Sequence, residues 1–206
     1  MNKKGMELSV NFMVMLILSI VVFGFGIYLV GKIFSTAELE QGRVSDNVKA
    51  EVRNRLFRGG DAVAIPWNKE KLKIGESHTF GLGILNTYTE VKNFKIEMTY
   101  VEAYDRMGKM LPQDLLADQG YINSHWIFTE YPVEELKPNT HAIIPLSVLV
   151  DNMIGDTGTR SNYIYKFNVC VSDVSKNVQI NCANPSREAV RKLHGSQVLT
   201  LLVEVV

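Results

Sequence analysis

The chain has 206 residues and sets 22 basic side chains against 22 acidic ones, for a formal net charge of zero. That balance gives no electrostatic case for nucleic acid or for a generally acidic partner. Roughly 140 residues from Ile65 onward suffice for one domain with its own core, without help from a metal or many disulfides.

Residues 1–7 form a short basic tail carrying Lys3 and Lys4. Leu8 to Gly31, LSVNFMVMLILSIVVFGFGIYLVG, contains no charged residue. As a helix it would measure roughly 36 Å, more than the roughly 30 Å hydrocarbon core of a bilayer. The hydropathy therefore predicts a transmembrane helix over 8–31, with the lipid bilayer as partner. The two lysines favour a single pass with the N-terminus inside and the C-terminal domain extracytoplasmic. A secretory signal peptide is the alternative. Its apolar region is normally shorter, and no A-x-A-like cleavage site follows this one, so a retained anchor in the cell membrane is expected.

Lys3-Lys4-Gly5 directly before an apolar helix resembles the class III signal peptide of archaeal type IV pilin-like proteins. In that family a membrane peptidase cuts after the glycine, and the hydrophobic helix becomes the filament core. The resemblance implies cleavage between Gly5 and Met6. Ser9-Val10-Asn11-Phe12 is similar to the S-x-E-F stretch of many archaeal pilins. The family's glutamate at the fifth mature position falls here on Val10, or on Asn11 if the motif is shifted by one, while Glu7 lies at mature position two. Glu7 and Asn11 are thus the polar candidates for helix assembly.

Residues 32–60 turn amphipathic. Val44, Val48, Val52 and Leu56 recur every four residues and make one apolar stripe. Glu38 and Glu40 come early and Lys49, Arg53, Arg55 and Arg58 late, the order a helix dipole favours. Gly59-Gly60 supplies a stop, and Gly42 a potential break. Joined to the apolar segment, this would be a stalk, a rod of roughly 75 Å over residues 8–58, the layout of a type IV pilin's first helix. The stripe suits either docking on the domain or a self-assembly seam; it falls short of sustained heptads, which favours docking.

From Lys69 the hydrophobic period switches to two. Phe80, Leu82 and Ile84 share a face, as do Phe94, Ile96, Met98 and Tyr100. Further rows run through Ile144, Leu146, Val148 and Val150, through Tyr163 to Val171, and through Leu199, Leu201, Val203 and Val205. Polar turns separate them, so 61–206 is expected to be an all-β antiparallel sandwich. LKIGESHTFGLGILNT (72–87) and the stretch from Leu136-Lys137-Pro138-Asn139 to Ile144-Pro145-Leu146 resemble immunoglobulin-like surface domains of prokaryotes. That resemblance implies a seven-strand immunoglobulin-like sandwich used as a spacer, an adhesion module or a stator.

Two parts exceed a minimal sandwich. An insertion, 103–135, holds a short helix near Pro112 to Asp118 and an aromatic cluster, Tyr121, His125, Trp126, Phe128 and Tyr131. This cluster either forms a binding loop or caps the end of the core. Asn184 to Gly195 reads as a short helix in the C-terminal half, with Asn184 as N-cap, Pro185 in the first turn and Gly195 as stop. Val190 and Leu193 would face the sheet.

Cys170 and Cys182 flank a polar stretch that could fold as a hairpin turning near Lys176. Such a hairpin sets the two cysteines opposite each other, so a cross-strand disulfide is allowed, the alternative being two free thiols. A disulfide implies an oxidising compartment.

No catalytic constellation is found. His78, His125, His141 and His194 are scattered, without metal-ligand spacing, and no nucleotide-binding or nucleophile motif occurs. Gly81-Leu82-Gly83 sits in a strand pattern, where glycine admits close packing. No enzyme activity, cofactor or metal is therefore expected. The first expectation is a pilin-like structural protein acting through other protein chains, as a homo-oligomer or filament or in adhesion. The second is a non-polymerising envelope adaptor or stator-type subunit. The third, much weaker, is a surface hydrolase with an unrecognised site.

Overall fold

The structure, a computed structural model, describes residues 12–23, 44–111, 119–129, 131–132, 134–154, 157–176 and 181–206. The chain separates into two compact units, Met1–Gln41 and Gly42–Val206.

In the first unit, residues 12–23 are helical (α1). Among the described residues no helix is long and apolar enough to cross a membrane. The expected transmembrane helix, and with it the single-pass placement in the cell membrane, is corrected accordingly. Gly5, Met6, Glu7 and Asn11 lie outside the described residues, as do Glu38, Glu40 and Gly42 of the expected stalk.

The second unit begins with Val44, buried, and helix α2 (Asp46–Phe57). Ser45 caps α2, its hydroxyl accepting from the Val48 N–H at 3.4 Å. Then come β1 (Val63–Ala64), β2 (Lys69–Leu72), β3 (Ser77–Leu85) and β4 (Lys92–Asp105). Helix α3 (Gln119–His125) precedes β5 (Glu134–Leu136) and β6 (His141–Leu149). A ribbon, β7 (Met153–Ile154) with β8 (Thr157–Gly158), leads into β9 (Tyr163–Asp173). Helix α4 (Arg187–Lys192) and β10 (Leu199–Val205) complete the fold.

The strands form two facing sheets, ordered β1-β3-β6 and β2-β10-β9-β4-β5. Among the described residues the pairings are antiparallel except at one edge, where β2 runs parallel to β10. That parallel edge pair departs from the wholly antiparallel sandwich expected. Between the sheets lie Phe80, Leu82, Ile84, Ile144, Leu146 and Val148 from one side. Phe94, Ile96, Met98, Tyr100, Tyr165, Phe167, Val169, Leu201 and Val203 meet them from the other. These are the alternating rows of the sequence, buried as the pleat requires. In β4 the register shifts between Tyr100 and Glu102. This bulge resets the alternation, so that buried Ala103, and not the Glu102 carboxylate, continues the inward row.

Of the expected stalk, residues 44–60 are described, and there the apolar stripe takes the docking alternative. Val52 and Leu56 are buried and pack with Ala64, Leu85 and Ile143, residues of β1, β3 and β6. The stripe therefore docks on the outer face of the three-stranded sheet.

Candidate functional site

Four constellations carry the chemistry of the β-domain, and each follows from where the strands place its residues. The first is the seat of α2. Gly81 and Gly83 point outward from β3, and a Cβ at Gly81 would come within 2.7 Å of Val48 Cγ1 and 2.9 Å of Val44 Cγ1. At Gly83 it would collide with Val52 Cγ1 and reach 3.0 Å from Leu56 Cδ1. The missing side chains thus form the trough that receives Val44, Val48, Val52 and Leu56. At the helix C-terminal end the Arg53 guanidinium donates from Nε to His141 Nε2 at 3.2 Å. Phe57 stands edge-on to the same imidazole, with centroids 5.2 Å apart. Burial, followed by the charge of Arg53, holds His141 below the ordinary histidine pKa. The neutral ring is the form that accepts from Arg53.

The second is the aromatic insertion, which divides into two parts. Trp126 is buried and stacks obliquely on Tyr165, with centroids 4.8 Å apart. Its indole N–H donates to the Met153 carbonyl at 3.4 Å. Tyr131 packs against the same core, and burial pushes its phenol up to about 12, the contact with the Ser147 backbone opposing. The chain between them laces the two sheets together: Leu149 N–H donates to Trp126 O at 2.8 Å and Met98 N–H to Thr129 O at 3.0 Å. Trp126 and Tyr131 therefore cap the core. Tyr121, His125 and Phe128 stay at the surface. Tyr121 donates to Asp151 Oδ2 at 2.9 Å, a bond that raises its pKa, and His125 stacks on its ring at 3.9 Å. Phe128 is 69% exposed. The expected helix over 112–118 lies outside the described residues; the described helix begins at Gln119.

The third is the disulfide. Cys170 and Cys182 are bonded, with Cα atoms 6.0 Å apart. The hairpin offered as its reason is not observed among the described residues: β9 has β10 and β4 as its strand neighbours, and Cys182 lies in an irregular segment. Cys170 points to the outer face of the five-stranded sheet, and the bond holds the 181–198 segment over that face. Leu193 and Val198 pack there, and Asn168 donates to the Cys182 carbonyl at 2.9 Å. Helix α4 is capped by Ser186, two residues beyond the expected Asn184, its hydroxyl accepting from Ala189 N–H at 3.2 Å. His194, next to Leu193, is buried against Phe94 and donates from Nε2 to the Leu85 carbonyl at 2.7 Å.

Sequence reasoning did not single out the fourth, the Glu204 cluster on the same outer face. Arg106 approaches Glu204 Oε1 at 2.8 Å, and Lys69 and Lys71 approach Oε2 at 3.4 and 3.9 Å. Desolvation works to raise the Glu204 pKa, and the three cations outweigh it and hold the carboxyl below its ordinary range. The strand period could have found it, because Lys69, Lys71 and Glu204 share one face of neighbouring strands. Asn86 was likewise passed over. It is fully buried, donating to Glu90 O and Leu136 O while accepting from Tyr88 N–H, and so ties the β3–β4 turn to β5.

Among the described residues no group of three His, Cys, Asp or Glu side chains could hold a metal ion. No protein-family model matches the sequence, and no curated protein matches it. Among solved structures, a PapD-like domain of human CEP192 aligns at 13% identity and a TM-score of 0.38, over 71% of this chain and 86% of that one. A CARDB domain from Pyrococcus furiosus aligns at 13% identity and 0.34, over 70% and 84%. A family 123 glycoside hydrolase from Clostridium perfringens aligns at 12% identity and 0.37; the match covers 68% of this chain and 23% of the hydrolase.

Proposed function

We propose that this chain is a non-catalytic structural subunit that associates with copies of itself through α1 and presents the disulfide-stapled β-sandwich as a contact module in an oxidising compartment. The observation that carries the reading is the state of α1. Its large apolar side chains, from Phe12 to Phe23, are 46–74% exposed. Ser19, the polar residue among them, turns its hydroxyl back to the Met15 carbonyl at 2.8 Å. A helix apolar all round does not remain bare in water. A second copy offers the same surface, and the pilin-like pattern around Gly5 is in keeping with such assembly. The disulfide supports the compartment, because thiols are kept reduced in the cytosol.

Sedimentation velocity of the full chain tests this. Wild type is expected to sediment as an assembly of several 23.2 kDa chains, and Leu16→Lys/Ile20→Lys, adjacent on the helix, as a monomer. A wild-type monomer at tens of micromolar would overturn the reading, and so would a multimer indifferent to the two lysines.

A further inference from the structure

The five-stranded sheet ends in two strands of opposite charge. One edge is β2, Lys69-Glu70-Lys71-Leu72, with Lys69 and Lys71 48% and 64% exposed. The other is β5, Glu134-Glu135-Leu136, with Glu135 exposed and Glu134 half-buried. Both lysines lean toward Glu204, but that one carboxylate is shared with Arg106, so positive charge remains in excess at this edge. Among the described residues neither Glu134 nor Glu135 has a cationic partner. Lys73 and Lys137 sit past the ends of the two strands.

Edge strands are normally blunted by charge because their free N–H and C=O groups invite pairing. Here the charge does so selectively. Two β2 edges repel, two β5 edges repel, and β2 against β5 attracts, which is a specificity device. The directions agree. β10 runs antiparallel to β9, β9 to β4 and β4 to β5, while β2 is parallel to β10. A copy placed alongside by translation therefore sets its β5 antiparallel to β2, the more stable mode of pairing.

We propose that neighbouring copies make a head-to-tail contact in which β2 of one β-domain pairs with β5 of the next, Lys69 and Lys71 lying on the same outer face as Glu135, the β5 carboxylate opposite Asn93 and away from the core. A contact between two different edges does not close on itself as a twofold dimer does, and it propagates. Strands this short give few hydrogen bonds, so the contact forms once α1 has brought the copies together and raised their local concentration. The inference deepens the self-association reading and rests on it.

The test is charge reversal in the full chain, read by sedimentation and by zero-length carbodiimide cross-linking with mass spectrometry. Wild-type assemblies should yield intermolecular links from Lys69 or Lys71 to Glu135. K69E/K71E alone, or E134K/E135K alone, sets like charges against each other and should weaken lateral growth about tenfold. Mixing the two variants restores opposite charges at every junction and should restore assembly, with the copies alternating. Melting of each variant checks that the sandwich is intact, and Lys69→Gln/Lys71→Gln, with an intermediate loss, serves if the reversal unfolds it. A monomeric wild type overturns this contact together with the α1 reading. A wild type that associates while the reversed variants do so equally well, or while their mixture shows no recovery, overturns this contact alone.

Discussion

The α2 seat makes the sharpest prediction, because steric and hydrophobic terms there can be separated. Gly83→Ala places a methyl into Val52 Cγ1 and 3.0 Å from Leu56 Cδ1. A valine in a helix has essentially one χ1 rotamer, so Val52 cannot swing away and the helix must shift. Overpacking of this kind costs about 1–3 kcal/mol. Val52→Ala alone removes two buried methyl groups, for about 2 kcal/mol. If the trough is what matters, Gly83→Ala/Val52→Ala should be less damaging than the sum of its parts by about 1–2 kcal/mol, since the new methyl enters the space the old ones left. Urea denaturation followed by Trp67 and Trp126 fluorescence measures the three ΔΔG values, with an unchanged m-value showing that the unfolding reaction is the same. In thermal melts each kcal/mol should appear as about 2–4 °C. Strict additivity, or a neutral Gly83→Ala, would refute the claim that glycine is required by the helix.

The insertion should split in two: Trp126→Ala loses about 3–5 kcal/mol, whereas Phe128→Ala stays within about 0.5 kcal/mol of wild type, both by urea titration. Removing the staple with Cys170→Ala/Cys182→Ala frees a loop of sequence separation 12, a loss of about 3 kcal/mol; amide exchange should show the 181–198 cover opening first. Acid should loosen α2 through His141. The folded state disfavours protonating this ring and the unfolded chain does not, so the unfolded state binds more protons as pH falls below the ordinary histidine value of 6.5. The stability present above that value is lost as pH drops from it toward the lowered folded pKa. His141→Gln, whose amide oxygen still accepts from Arg53, should flatten the profile; an unchanged pH dependence would dismiss His141 as its source.

Much of the sandwich was legible because one physical rule, alternation across a half-buried strand, acts locally. Phe80, Leu82 and Ile84 announce an inward face without reference to anything distant. What was not legible is what depends on a distant partner. Cys170 and Cys182 were paired correctly from a hairpin that is not observed among the described residues; the bond in fact joins a central strand to an irregular cover. The aromatic cluster could not be divided by composition, since Trp126 and Phe128 differ only in which side of an irregular segment faces the core. The parallel β2–β10 edge left no local sign either, because the β-propensity of four residues says nothing about direction.

The amphipathic stripe shows how two ambiguous signals decide each other. Val44, Val48, Val52 and Leu56 read alone suit a coil seam, a docking face or a free stalk. Gly81 and Gly83 read alone suit a bulge, a turn or a close approach. Yet a narrow ridge of short branched side chains needs a shallow trough, and a strand lacking side chains on its outer face needs a ridge to exclude water. Each feature supplies what the other lacks, and the structure joins them, with Val44 and Val48 at Gly81 and Val52 and Leu56 at Gly83. The helix is thereby assigned to the β-domain, an inference open to the sequence once the outward residues of β3 are weighed together with the inward ones.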